Sequence, residues 1–105
     1  MTEPNGRKVS LVAVNGWFVG ARLNDRGDLI IDGQDLGGPY SEYEWAWAFS
    51  SSTFSMIKAR LGVDTDMDIL DALRESFSSN ELRDPGRWLH KEAGIPAEFW
   101  SRVEP

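Results

Sequence analysis

Tyr40-Ser41-Glu42-Tyr43-Glu44-Trp45-Ala46-Trp47-Ala48-Phe49-Ser50 repeats with a period of two. Successive side chains of an extended chain point to opposite faces, so Tyr43, Trp45, Trp47 and Phe49 share one face and Glu42, Glu44, Ala46 and Ala48 the other. Aromatic rings bury large areas, and the expectation is that their face is the core side of a sheet. The competing reading is an aromatic platform for a ligand or partner, which requires Trp45 or Trp47 to be exposed.

Upstream of this strand the chain also reads as extended segments. Lys8 to Val14 is rich in β-branched residues and stops at Asn15-Gly16, the dipeptide of a tight hairpin turn in which both central residues take positive φ. Trp17 to Leu23 returns, with Trp17, Val19, Ala21 and Leu23 on one face and Phe18, Gly20 and Arg22 on the other. Asn24-Asp25-Arg26-Gly27 is a second turn, and Asp28 to Asp32 a third strand. Gly33 to Pro39 contains three glycines and a proline and reads as a loop.

Downstream, the period changes. Ser51 or Ser52 can cap a helix with Phe54, Ile57 and Leu61 on its apolar stripe, and Gly62 is placed to end it. Asp64-Thr65-Asp66-Met67-Asp68 opens a second helix, with Thr65 and Asp68 in capping-box spacing and Ile69, Leu70, Leu73 and Phe77 as its buried stripe. Asp84-Pro85 starts a third, in which Trp88, Leu89 and Ala93 face inward and Gly94 is the stop. Pro96 then leads into a last short helix over residues 97–103, where Phe99 and Val103 share a face and Glu98 can pair with Arg102. Strands first and helices second give an α+β domain. The expected architecture is an antiparallel sheet of about four strands, a meander over residues 8–50, covered on one face by three to four helices between residues 52 and 103.

The chain of 105 residues has room for one domain, residues 1–105, with residues 1–7 expected to be a disordered start. The absence of Cys excludes disulfides, thiolate metal sites and thiol nucleophiles. The polar start lacks the apolar segment of a signal peptide, and no apolar run approaches the roughly 18 residues of a membrane span. These features point to a soluble, cytoplasmic protein. A net charge of −6 argues against direct binding to nucleic acid or to an anionic membrane, which need clustered Lys and Arg. The charge is uneven: residues 1–60 hold seven acids and six bases, residues 61–105 ten acids and five bases.

Motifs that would carry chemistry are incomplete. Asp64, Asp66 and Asp68 with Glu75 have calcium-loop spacing, but the sixth position is Ile69 where the sharp turn needs Gly, so the acids are better explained as helix capping and an acidic patch. His90 is the one imidazole and has no nucleophile motif around it. Arg26-Gly27-Asp28 fits a hairpin turn, and Glu42 with Glu44 a solvated strand face. The reading is therefore of no enzyme, no cofactor and no metal. An acidic surface can instead steer a basic protein partner at high association rates.

Several segments carry a resemblance. Gly33 to Gly37, Glu42-Tyr43-Glu44-Trp45, Leu61-Gly62 with Asp68, Leu70, Leu73 and Phe77, and above all the ending Gly94-Ile95-Pro96-Ala97-Glu98-Phe99-Trp100-Ser101 resemble a group of small actinobacterial single-domain proteins, over residues 28–103. That likeness implies no catalytic residues. In size, acidity and layout the chain is also similar to immunity proteins, which act by blocking one toxin domain. The leading expectation is a non-enzymatic protein-binding domain of this immunity type, docking a basic toxin or effector through Glu42, Glu44, Asp64, Asp66, Asp68 and Asp71, and itself a monomer or weak dimer. The alternatives are a small-molecule or sensor pocket lined by Trp45, Trp47 and Trp88, and a structural protein that self-assembles through a sheet edge.

Overall fold

A computed structural model describes residues 7–37, 42–79 and 81–104. They form a five-stranded antiparallel sheet in the order β1 (Lys8–Val14), β2 (Trp17–Leu23), β3 (Leu29–Asp35), β4 (Glu42–Phe49) and β5 (Glu98–Glu104). Between β4 and β5 the chain makes α1 (Phe54–Leu61), α2 (Ile69–Ser76) and α3 (Pro85–Arg87), the last running into a π-helical turn over Trp88–Glu92. The result is α+β with all helices on one face of the sheet, as the strands-then-helices order predicts.

Local chemistry sets most of the boundaries. Asn15 and Gly16 take φ of 49° and 83°, and this two-residue turn closes the β1–β2 hairpin with Val14 opposite Trp17. Between β2 and β3 the Asn24 carboxamide oxygen accepts from the backbone N–H of Arg26 and of Asp28, so Arg26-Gly27-Asp28 is a turn held by the Asn24 side chain. Gly62, at φ 74°, ends α1 with its N–H donating to Ala59 O and that of Val63 to Lys58 O. Asp84 caps α3 by accepting from Arg87 N–H, with Pro85 at the first helical position.

The aromatic face of β4 is core. Trp45, Trp47 and Phe49 are buried with Val19, Ala21, Leu29 and Ile31 of the sheet, and Ile57, Leu70, Leu73 and Leu89 close over them from the helices. Tyr43, at the end of the row, is partly buried. The weak alternation of Lys8–Val14 has a cause: the register slips between Ser10 and Val12, and this bulge turns both Leu11 and Val12 into the core.

The structure corrects the sequence reading at six places. The sheet has five strands, because residues 98–104 form β5 and not a helix; Phe99 and Val103 share a face in a strand as they would in a helix, and the free edge of β4 supplies the backbone partners. Glu98 and Arg102 therefore do not pair as helical neighbours, and Arg102 reaches Glu44 across the strands at 3.2 Å. Gly33, Gln34 and Asp35 belong to β3 and not to a loop, since Gly33 lies beneath the Trp45 ring, where a Cβ would come within 2.3 Å of it. The cap of α2 is Asp68 and not Thr65, and the cap ahead of the 3-10 turn Ser51–Thr53 is Ser50. Arg7 is engaged with Asp68 and Asp71, which removes it from the expected disordered start; residues 1–6 of that expectation, and Tyr40 and Ser41 of the fourth strand, lie outside the described residues.

Candidate functional site

Among the described residues the helices cover one face of the sheet and leave the other open. Residues directly opposed across the strands lie on the same face, so the central row of the open face is Ser10, Gly20, Asp32, Ala46 and Trp100, and the adjoining row is Ala13, Phe18, Gln34, Glu44 and Arg102. Small side chains in the middle of the first row make a depression of about 580 Å³. Its floor is Gly20 and Ala46, and its apolar walls are Phe18 and Trp100, which are 43% and 50% exposed.

Charged side chains enter and border this depression in ion-paired groups. Asp32 sits between Lys8 Nζ and Arg22 Nε, each at 3.6 Å, and the Lys8 stem crosses Gly20 closely enough that a Cβ there would lie 2.6 Å from its Cε. Gln34 donates to Glu42 Oε2 at 3.1 Å, and Arg102 donates to Glu44 Oε1 at 3.2 Å. The Glu44 carboxyl is held below the ordinary carboxylate range, chiefly by a hydrogen bond with Glu42 and further by Arg102 and Gln34, against a smaller opposing effect of desolvation. It stays ionised at neutral pH. The depression thus sets half-exposed aromatic rings beside ion-paired side chains, and in protein interfaces aromatic and Arg side chains carry most of the energy.

The six acids expected to form one surface fall into two groups. Glu42 and Glu44 lie on the open sheet face, whereas Asp64, Asp66, Asp68 and Asp71 lie in the helical layer that covers the opposite face. Within the second group two acids are committed to the fold. Asp68 Oδ2 accepts from Asp71 N–H at 3.0 Å as the cap of α2 and from Arg7 Nη1 at 2.9 Å, while Asp71 binds Arg7 Nη2 and Arg74. Asp64 accepts from Asp66 N–H at 2.9 Å in a local turn, and both Asp64 and Asp66 are exposed. Asp68→Ala is expected to cost about 1–2 kcal/mol in a urea melt through loss of the cap, whereas Asp66→Asn should stay within about 0.5 kcal/mol. Equal losses would show that Asp68 is not the cap.

Trp45, Trp47 and Trp88 do not meet on one cavity. Trp45 and Trp47 are buried, with indole N–H groups that find no acceptor among the described residues. Trp88 lies on the helical side, edge-on to Phe77 with the Arg60 guanidinium 5.2 Å above it, beside a separate shallow depression of about 440 Å³. His90 packs on Trp47 at 5.2 Å and its Nδ1–H donates to Ile95 O at 2.8 Å, a contact that fixes the chain leaving the π-helical turn. Among the described residues no three His, Asp or Glu side chains are grouped to hold a metal ion.

Two residues of the open face were missed as candidates. Phe18 was legible, since the alternation of β2 places it opposite Trp17 and Val19. Trp100 was hidden by reading its segment as a helix. No protein-family model, curated protein or solved structure matches the chain.

Proposed function

We propose that this chain is a non-enzymatic protein-binding domain, an inhibitor of the immunity type that covers a basic toxin or effector with its open sheet face. The observation that carries the reading is the pairing of Phe18 and Trp100 around a depression lined also by Lys8, Arg22, Asp32 and Glu44, with Arg102 bound to Glu44. A sheet face free of helices among the described residues, with half-exposed aromatic rings, presents rigid apolar contact at small entropic cost, and its mixed charges set register and specificity. The net charge of −6 favours a basic partner, and the exposed Asp64 and Asp66 contribute to its long-range attraction without touching it.

The test compares proteins retained from source-cell lysate by the tagged wild type and by Phe18→Ala. A partner held by the wild type should be lost or weakened about tenfold or more in the variant, the size of effect that truncating a central interface aromatic produces. With that partner purified, Glu44→Gln should slow association and flatten its salt dependence while changing dissociation little. A partner retained equally by the wild type and Phe18→Ala would remove the open face as the contact surface.

A further inference from the structure

The two edges of the sheet are built differently. β1 carries the devices that keep an edge from pairing: a bulge at Leu11, a lysine at Lys8, and α2 packed against it. Among the described residues β5 has neither the bulge nor the lysine. Its pairing with β4 runs without a register shift from Glu98↔Ala48 to Glu104↔Glu42, and Glu98–Glu104 contains neither Lys nor Pro. Apolar side chains are half exposed on both of its faces, Phe99 and Val103 on one at 51% and 46%, Trp100 on the other. A regular edge strand with half-exposed apolar side chains and charges of both signs is a template for a strand of complementary charge.

The sequence of β5 matches a second copy of itself. Antiparallel self-pairing with the two-fold axis at Trp100 places Glu98 opposite Arg102 of the partner subunit, and Arg102 opposite Glu98 of the partner subunit. Trp100 then faces Trp100 of the partner subunit, on the same side as both charge pairs. Moving the axis one residue to Ser101 sets Glu98 opposite Glu104 of the partner subunit twice, and like charges directly opposed are destabilising. Opposite charges therefore select the first register. Arg102 keeps its contact with Glu44, lying between that carboxylate and the one from the partner.

We propose that β5 is a homodimer interface, in which two copies of this chain join edge to edge about Trp100 into one continuous ten-stranded sheet. The assembly is closed: an isologous contact uses β5 of both copies, and the outer edges it leaves are the two guarded β1 strands. The dimer also brings the two open faces side by side, with the Trp100 rings meeting at the axis between the two depressions.

Charge reversal tests the interface and its register together. Sedimentation velocity over micromolar to millimolar protein should show the wild type passing from one chain to two, and no further. Glu98→Arg alone and Arg102→Glu alone each place like charges opposite one another twice, and each should weaken dimerisation about tenfold or more. Mixed in equal amounts, the two variants present opposite charges at both pairs, and the dimer should return. Circular dichroism of each single variant checks that it is folded, and restoration on mixing cannot arise from misfolding. A wild type that stays a monomer throughout, growth beyond two chains, or folded variants that remain monomers when mixed would each overturn the proposal.

Discussion

Trp47→Ala is expected to lower the free energy of unfolding by about 3–5 kcal/mol. For a domain of this size that is a large share of a total of roughly 5–15 kcal/mol, and the melting temperature should fall by about 12 °C or more. The size of the effect comes from position. Trp47 is the contact through which the central sheet meets both the last helical segment and the edge strand: its ring lies 4.5 Å from Phe99 of β5 and 5.2 Å from His90, and it rests on Gly86 so closely that a Cβ there would come within 2.4 Å of its Cδ1. Removing the ring leaves a hole that a glycine on one side cannot fill. Trp47→Phe should behave otherwise. The buried indole N–H has no acceptor among the described residues, and an unsatisfied buried donor costs about 1–3 kcal/mol. Phenylalanine relieves that cost while losing part of the volume, so a net change within about 1.5 kcal/mol is expected. Urea melts of the two variants measure the contrast, and a Phe variant as unstable as the Ala variant would mean that the N–H is bonded in solution.

The features legible in the sequence are those written into short stretches of backbone chemistry. Asn15-Gly16, Asn24 to Gly27, Gly62 and Asp84-Pro85 each specify a turn or a cap through residues within about five positions, and each appears where expected. The inward face of β4 was legible for a similar reason, since period two is a local property. What failed depended on partners distant in the chain. Spacings of four residues fit a strand and a helix equally, so Phe99, Val103, Glu98 and Arg102 carried no vote; the vacant edge of β4, about fifty residues earlier, settled the matter. The acids at 64–71 looked like one surface with Glu42 and Glu44 until Arg7, 61 and 64 residues away from Asp68 and Asp71, claimed two of them for the fold. The open face suffered most. It takes contributions from all five strands, so the depression between Phe18 and Trp100 had no local signature even though Phe18 itself did.

Gly33→Ala is expected to destabilise the protein by about 1–3 kcal/mol, although alanine is intrinsically the better strand residue by up to about 1 kcal/mol. The added Cβ would lie 2.3 Å from Trp45 Cζ2 and within 2.8 Å of two further ring atoms, far inside contact distance. The ring cannot step aside, being held by Trp17 at 4.7 Å and Tyr43 at 5.5 Å, while Trp17 is itself fixed by its indole N–H donating to Arg83 O at 2.7 Å. The backbone of β3 has to give instead, and β3 is the middle strand of the sheet. This mechanism is a two-residue property and is tested as one. Trp45→Phe withdraws the outer ring atoms that collide with position 33, so the Gly33→Ala, Trp45→Phe double variant should be more stable than the sum of the single losses predicts, by about 0.5–3 kcal/mol of coupling. Additive losses in the double-mutant cycle would show that Gly33 is required for its backbone freedom and not for the space it leaves. Coupling of the expected sign would explain why a stretch that reads as a glycine-rich loop is built as a strand: its glycine is the seat of a tryptophan from the strand beside it.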